Sequence, residues 1–181
     1  MTASSAEPLF STPRYAAEAS RHSASRRIVV AQQARAAVAL LDDPAPTLLL
    51  CLGETLTTSA DQESLPSIET LYLRLQMLLE RAEAGTRLYI SGDESFLWHV
   101  YRLARHAGLL ADEIELFKQG SRRRLYCVHC THFQDIGEEG ECNCVQCGVK
   151  LLVREHFSQR LGAYMGVCID PDRPYAKAVQ A

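Results

Sequence analysis

Three observations predict an α/β layer domain with a mostly parallel sheet, followed by a small cysteine-built module. Strand-like apolar runs alternate with helix-period segments between about residues 27 and 120. One of those runs, TLLLCLG (residues 47–53), is continuously apolar, as expected of a strand buried on both faces. Beyond Gly120 the composition changes abruptly, and five of the seven cysteines fall between Cys127 and Cys147.

Each element can be read in order. Residues 1–26 are polar, small and helix-poor, and are expected to form a disordered or loosely docked tail. Ile28-Val29-Val30 is a short strand candidate. AQQARAAVALL (31–41) is a plausible short helix, stopped by Asp42-Asp43-Pro44. After the TLLLCLG strand, the segment beyond Pro66 is the clearest helix: Ile68, Leu71, Tyr72, Leu75, Leu78, Leu79 and Ala82 share one 3.6-residue face, and Gly85 suits its C-terminal end. TRLYISG (86–92) reads as a strand. Ser91 and Glu94 have capping-box spacing for the next helix, with Asp93 as a competing N-cap. That helix carries Phe96, Leu97, Val100, Leu103, Ala104 and Ala107 at core spacing and stops at Gly108; EIELF (113–117) follows as a strand. The expected domain spans 27–120 and is a small Rossmann-like parallel sheet.

Residues 121–181 read as a zinc-ribbon-like module with a C-terminal docking segment. Cys127-x2-Cys130 and Cys144-x2-Cys147 are separated by thirteen residues. Each pair can turn two thiolates toward one ion, and four thiolates make a closed tetrahedral zinc site. Few large apolar residues lie between 121 and 160, so a metal would supply folding energy that the core lacks. Cys142 is an alternative ligand, and His129 and His132 are within reach in sequence. Iron, mononuclear or as an iron–sulfur cluster, is the alternative occupant, although the plant-type ferredoxin spacing is absent. Cys51 and Cys168 are expected to be inert small hydrophobes. From 155 to 167, Phe157, Leu161, Tyr164 and Met165 fall at helical spacing. This stripe is expected either to close the module or to face a partner, with His156, Tyr164 and Met165 contributing. The basic run Arg122-Arg123-Arg124 is a solvated connection or a docking patch for an acidic surface.

Nothing reads as catalytic or cofactor-binding. GxSxG, HExxH and GxxxxGK[ST] are all absent. The acids Asp61, Glu63, Glu138 and Glu139 are expected to be solvated, and His99 and His106 to lie on the surface. Net charge is −3, with no basic–aromatic interleaving, which speaks against nucleic acid. No apolar run approaches a membrane span and no secretory h-region opens the chain, so a cytoplasmic protein is expected.

Two resemblances add to this reading. LYISGDESFLWHVYRLARHAGLLADEIELF resembles the closing part of the pyridine-nucleotide half of ferredoxin-reductase-type flavoenzymes. The family's Cys-Gly-Pro turn is here Ile90-Ser91-Gly92-Asp93. Its Gly-rich turn is replaced by Glu54-Thr55-Leu56-Thr57-Thr58, which leaves side chains where a pyrophosphate would approach. The resemblance therefore implies a nucleotide-incompetent relic of that fold.

The combination of CVHCTH, NCVQCG and LLVREHFSQRLGAYMGV is similar to the small subunit of bacterial dimethylamine monooxygenases, over roughly residues 86–170. That resemblance implies an accessory subunit of an NADPH-dependent complex converting dimethylamine and O2 to methylamine and formaldehyde. Its partners would be a haem-bearing oxygenase subunit and a reductase subunit carrying FMN and an iron–sulfur cluster. The expected task is to hold those subunits together. The alternatives are an iron-binding electron carrier in the same type of complex and a free-standing zinc-ribbon adaptor.

Overall fold

The computed structural model describes residues 12–20, 22–53, 55–58 and 60–175. Residues 1–11 of the expected tail and Glu54 of the glycine-poor turn lie outside the described residues. The chain divides into two units, one running from Tyr15 to Arg122 and one containing the chain from Arg123 onward.

The first unit is built on β1 (Arg26–Ala31), β2 (Thr47–Leu52), β3 (Asp61–Leu65), β4 (Thr86–Gly92) and β5 (Ile114–Lys118). All pairings are parallel, in the order β3-β2-β1-β4-β5. The central strands are apolar on both faces: Val29, Val30, Leu49, Leu50, Leu88 and Ile90 are fully buried. One face carries Val29, Ala31, Leu49, Cys51, Tyr89 and Phe117 against a 3-10 helix, Ala34–Leu40, that stands where an α-helix was expected. Strand residues alternate between faces, so Ile28, Val30, Leu88 and Ile90 turn the other way, toward α1 (Ile68–Leu79) and α2 (Glu94–His106).

Both helices start as local chemistry requires. Ser67 caps α1 by accepting from Thr70 N, and Thr70 answers with its hydroxyl in a capping box. Asp93, not Ser91, caps α2, accepting from Phe96 N at 2.9 Å. Ser91 is still in β4, its backbone committed to the ladder. Leu71, Leu75 and Leu79 are the buried stripe of α1, which ends at Leu79, well before Gly85. His106 is exposed, but His99 is half-buried and stacks on Tyr72 with ring centroids 4.1 Å apart.

Asp61 and Glu63, expected in a solvated loop, lie in β3, an edge strand paired with β2; Glu63 makes a two-pronged ion pair with Arg74 of α1. The segment from Tyr15 to Ser25 belongs to this unit. Ala16 N donates to Leu116 O at 2.8 Å, the Ser20 N–H and hydroxyl donate to Glu115, and Ser25 N donates to Gly85 O. It thereby satisfies part of the open edge of β5.

The second unit is a five-stranded sheet in the order β7-β6-β10-β9-β8, from β6 (Arg123–Cys127), β7 (Phe133–Ile136), β8 (Glu141–Asn143), β9 (Lys150–Ser158) and β10 (Ala163–Cys168). Only β6 and β10 pair in parallel. The helical stripe expected over 155–167 is a β-hairpin. Gly162 turns the chain at φ 63, and Phe157 lies opposite Tyr164, their rings edge-on at 5.0 Å. A bulge follows at Met165. Gly166 then lets β10 lie against Leu125 and Leu151, where a Cβ would meet carbon atoms at 3.0–3.1 Å.

Candidate metal centre

The strands of the second unit deliver two matching turns to one end of its sheet. β6 runs into the first, Cys127–Cys130, and β8 into the second, Cys144–Cys147. In each, the residue after the second cysteine donates back to the first: Thr131 N to Cys127 O and Gly148 N to Cys144 O, both at 2.8 Å. The next residue closes the turn from the other side, His132 O accepting from Cys127 N and Val149 O from Cys144 N, both at 2.9 Å. The closure needs positive φ at the residue after each pair. Gly148 supplies it at 72°; the first turn uses Thr131 at 61°, a strained conformation for a β-branched residue.

The turns bring four sulfurs together. Cys127 and Cys147 Sγ are 3.9 Å apart, Cys130 and Cys144 Sγ 3.6 Å, and all four lie within 4.8 Å of one another. Tetrahedral coordination with metal–sulfur bonds of about 2.3 Å puts sulfurs about 3.8 Å apart, so the set fits a single ion. A cluster of several irons requires wider spacing between its outer ligands. Cys127 and Cys144 are buried, while Cys130 and Cys147 are half-buried. Among the described residues, this is the His, Cys, Asp and Glu group that can hold a metal.

The electrostatics of the four sulfurs differ, and only Cys144 is shifted toward the thiolate. Burial pushes the Cys144 thiol up, but hydrogen bonds from the Cys147 and Gln146 backbone, with the Cys147 and Cys130 side chains, outweigh it and bring it down to about 7. Burial dominates at Cys127, Cys130 and Cys147 and raises each, opposed at Cys127 by the backbone of Cys130 and His129, at Cys130 by that of His132 and at Cys147 by that of Val149. The two turns thus aim equivalent backbone donors at equivalent sulfurs. A cation held by the four sulfurs would complete the stabilisation that these donors begin.

Cys142 stands outside this group. It sits on β8, where its sulfur accepts from Gln134 Nε2 at 3.6 Å. Gln134 also donates to Asn143 O at 3.0 Å and accepts from Val145 N at 2.8 Å, so one side chain ties β7 to the second turn. No motif in the sequence marks this brace. His129 is exposed and packs edge-on to Tyr175. Cys51 is buried, and burial raises its thiol. Cys168 is half-buried, with its sulfur 3.2 Å from Asp170 O.

The residues considered for docking have separate surroundings. Arg123 donates to Gly137 O and Glu139 O and lies over the Tyr164 ring. Arg124, its neighbour on the same strand, emerges on the opposite face over Phe133. Arg122 is exposed, 3.8 Å from Asp93 in the α/β unit. Tyr164 is buried against Phe157, Met165 is half-buried, and His156 is exposed on β9.

The α/β unit has a crevice where its strand order reverses, between β1 and β4, the usual ligand position in such sheets. It measures about 530 Å³ and is lined by Gln32, Gly92, Asp93, Gln119 and Arg122, among others. Two of its lining residues are hydrogen-bonded to each other. Gln32 accepts from Asp93 N at 2.8 Å and donates to Asp93 Oδ2 at 3.1 Å. Beyond Asp93, the buried Glu94 carboxylate accepts from Tyr15 OH at 2.5 Å and lies 3.5 Å from Lys118 Nζ. Trp98 is buried on the same helix and donates to Tyr15 OH.

Comparison with known proteins agrees with this two-part plan. A curated protein from Ectopseudomonas mendocina (strain ymp), "Heme-dependent oxidative N-demethylase delta subunit", is 43% identical over 167 residues, covering 92% of each chain. Residues 52–114 match the N-terminal domain, and residues 124–167 the C-terminal domain, of "Dimethylamine monooxygenase subunit DmmA-like". The chain belongs to the DmmA-like family. The C-terminal family domain contains both cysteine turns and the β9–β10 hairpin, and the N-terminal one contains β3, β4, α1 and α2 of the α/β unit. No solved structure matches the chain significantly. Among the described residues, no helix is long and apolar enough to cross a membrane.

Proposed function

We propose that the chain is the accessory, non-catalytic subunit of a cytoplasmic, NADPH-dependent dimethylamine monooxygenase, holding a haem-bearing oxygenase subunit and a reductase subunit with FMN and an iron–sulfur cluster in one assembly. The observation that carries this reading is the 43% identity, over 92% of both chains, to the delta subunit of a haem-dependent oxidative N-demethylase. Two features support a non-catalytic role. The turn at the carboxyl end of β4 is occupied by the chain's own Gln32–Asp93 clasp, and the first turn of α2 carries the carboxylates of Asp93 and Glu94. A pyrophosphate approaching that helix end would meet negative charge in place of free N–H groups. The metal centre presents four cysteine donors, enough to fill the coordination of a tetrahedral ion.

Cys127, Cys130, Cys144 and Cys147 hold the ion, which we take to be zinc. Such an ion supplies a closed, redox-inert crosslink between the two turns. The protein's part is to aim backbone donors at the sulfurs and keep Cys127 and Cys144 dry. A second reading, an iron-holding electron carrier, draws on the half-exposed Cys130 and Cys147.

Metal content per chain and a visible spectrum on the purified protein separate the two: one zinc and no colour are expected, and stoichiometric iron with a reducible chromophore would replace the first reading with the second. Reconstitution tests the assembly role. Formaldehyde release from dimethylamine by the other subunits should fall at least roughly tenfold without this chain. Equal rates with and without it would sink the proposal.

A further inference from the structure

Among the described residues of the second unit, exposed large apolar side chains are not scattered. They are Val128 (47% exposed), Val145 (74%), Leu152, Ile169 (41%) and Tyr175 (66%). Topology gathers four of the five at the metal end. Val128 and Val145 are the first residues inside the two cysteine turns. β10 runs parallel to β6 with Gly166 opposite Cys127, so Ile169 emerges beyond the first turn, and Tyr175 returns to pack on His129. The opposite end of the sheet is different: Arg123 is tied there to the Gly137–Gly140 loop, with Glu138 and Glu139 exposed.

Charge follows the same division. Residues 127–134 (CVHCTHFQ) and 142–149 (CNCVQCGV) contain no Asp, Glu, Lys or Arg, although 23% of the chain is charged. Sixteen residues at that frequency would carry about four charges. Charges resume at the margin, with Asp135, Glu141 and Lys150 next to the two stretches and Asp170, Asp172 and Arg173 beyond β10. An uncharged centre with apolar side chains, inside a rim of both signs, is the anatomy of a protein–protein interface. Without basic residues at its centre, the patch has nothing to offer phosphates or anionic lipid headgroups. The turns that present the two valines are also the part of the module a metal would make rigid, which lowers the entropy lost on docking.

We propose that this metal end, with Val128 and Val145 at its centre and Ile169 and Tyr175 beside them, is the surface by which the chain docks on another subunit of its complex, at a patch that is itself apolar and uncharged. This inference rests on the subunit reading above. It moves the docking site from the arginine run and the 155–167 segment to the tips of the cysteine turns.

The test co-expresses the full chain with the other subunits and measures association by affinity and size-exclusion chromatography, with metal per chain and Trp98 emission recorded for every variant. V128D/V145D is the strong variant, and V128S/V145S the mild one that adds no charge near the thiolates. L73D/M77D alters exposed apolar residues of α1 as a control. Both valine variants should weaken association at least roughly tenfold at unchanged metal content, while the α1 variant associates normally. Backbone exchange in the wild-type complex should be slowed across 127–134 and 142–149. Normal association by metal-replete V128S/V145S would overturn the inference. So would protection of α1 in place of the turns, or valine variants that abolish only self-association of the isolated chain. Failure of the wild-type chain to associate at all would instead overturn the subunit reading, and this inference with it.

Discussion

The two units solve the same problem, holding a five-stranded sheet, by opposite means. The α/β unit buries a continuous set of aliphatic side chains on both faces, with Val29, Val30, Leu49, Leu50, Leu88 and Ile90 at zero exposure. The cysteine unit has short strands of three to nine residues and a thinner core, in which Leu125, Val149 and Leu151 sit beside buried Cys127 and Cys144. Where apolar area is scarce, an ion held by the four cysteines would make up the difference. The contrast teaches that removing a metal and removing a buried leucine should injure different halves of one chain.

Trp98 makes that contrast measurable, because it is the chain's single tryptophan and lies in the α/β unit. The largest effect is expected from Cys144→Ser or from a strong chelator. Metal content should fall to near zero and the second unit should lose more than about 3 kcal/mol, seen as rapid proteolysis beyond Arg122. Trp98 emission should hold. A chelator-induced shift in that emission would break the comparison.

Leu50→Ala is the mirror experiment. A fully buried leucine in a central strand is worth about 2–5 kcal/mol on truncation. The Trp98 unfolding transition should move to lower denaturant while metal per chain stays constant. Simultaneous metal loss would show that the units unfold as one.

Thr131 sharpens the comparison within the metal centre. Thr131→Gly relieves a β-branched residue at φ 61, and Gly148→Ala imposes the same kind of strain on the second turn. The first should delay metal loss in a chelator titration and the second hasten it, each by about 1 kcal/mol. If Thr131→Gly hastens loss instead, its hydroxyl bond to Cys130 O matters more than the backbone strain.

The smallest effect concerns the edge of the parallel sheet. Hydrogen bonds from Arg74 hold the Glu63 carboxyl below the ordinary value of 4.5, against the opposing effect of burial. A carboxyl lowered in this way stabilises the fold above pH 4.5, and the contribution disappears as pH falls through its folded pKa. Both side chains are about one-third exposed, so the pair is worth at most about 1 kcal/mol. Arg74→Met should flatten the acid limb of α/β-unit stability by that amount and leave neutral-pH metal content unchanged.

What could be read without the fold is what local pattern encodes. TLLLCLG and TRLYISG are apolar enough to announce central strands, and the Leu71–Leu75–Leu79 stripe announces a helix, because burial there is satisfied by residues near in sequence. β3 escaped notice because DQESL is polar. As an edge strand it needs only one partner and can leave its acids in water or on Arg74. The 155–167 segment misled because Phe157, Leu161 and Tyr164 happen to fall at helical spacing, while the pairing of β9 with β10 and the turn at Gly162 decide otherwise.

The sequence by itself determined the two-part plan, the central parallel strands and the identity of the cysteine pairs, because each depends on composition or spacing within a few residues. The tertiary structure alone decided that Cys142 stays outside the four converging sulfurs, that Gln32 pairs with Asp93 at the rim of the crevice, and that Val128 and Val145 share one charge-free end. Those outcomes depend on strand order, which brings together residues that no local pattern connects.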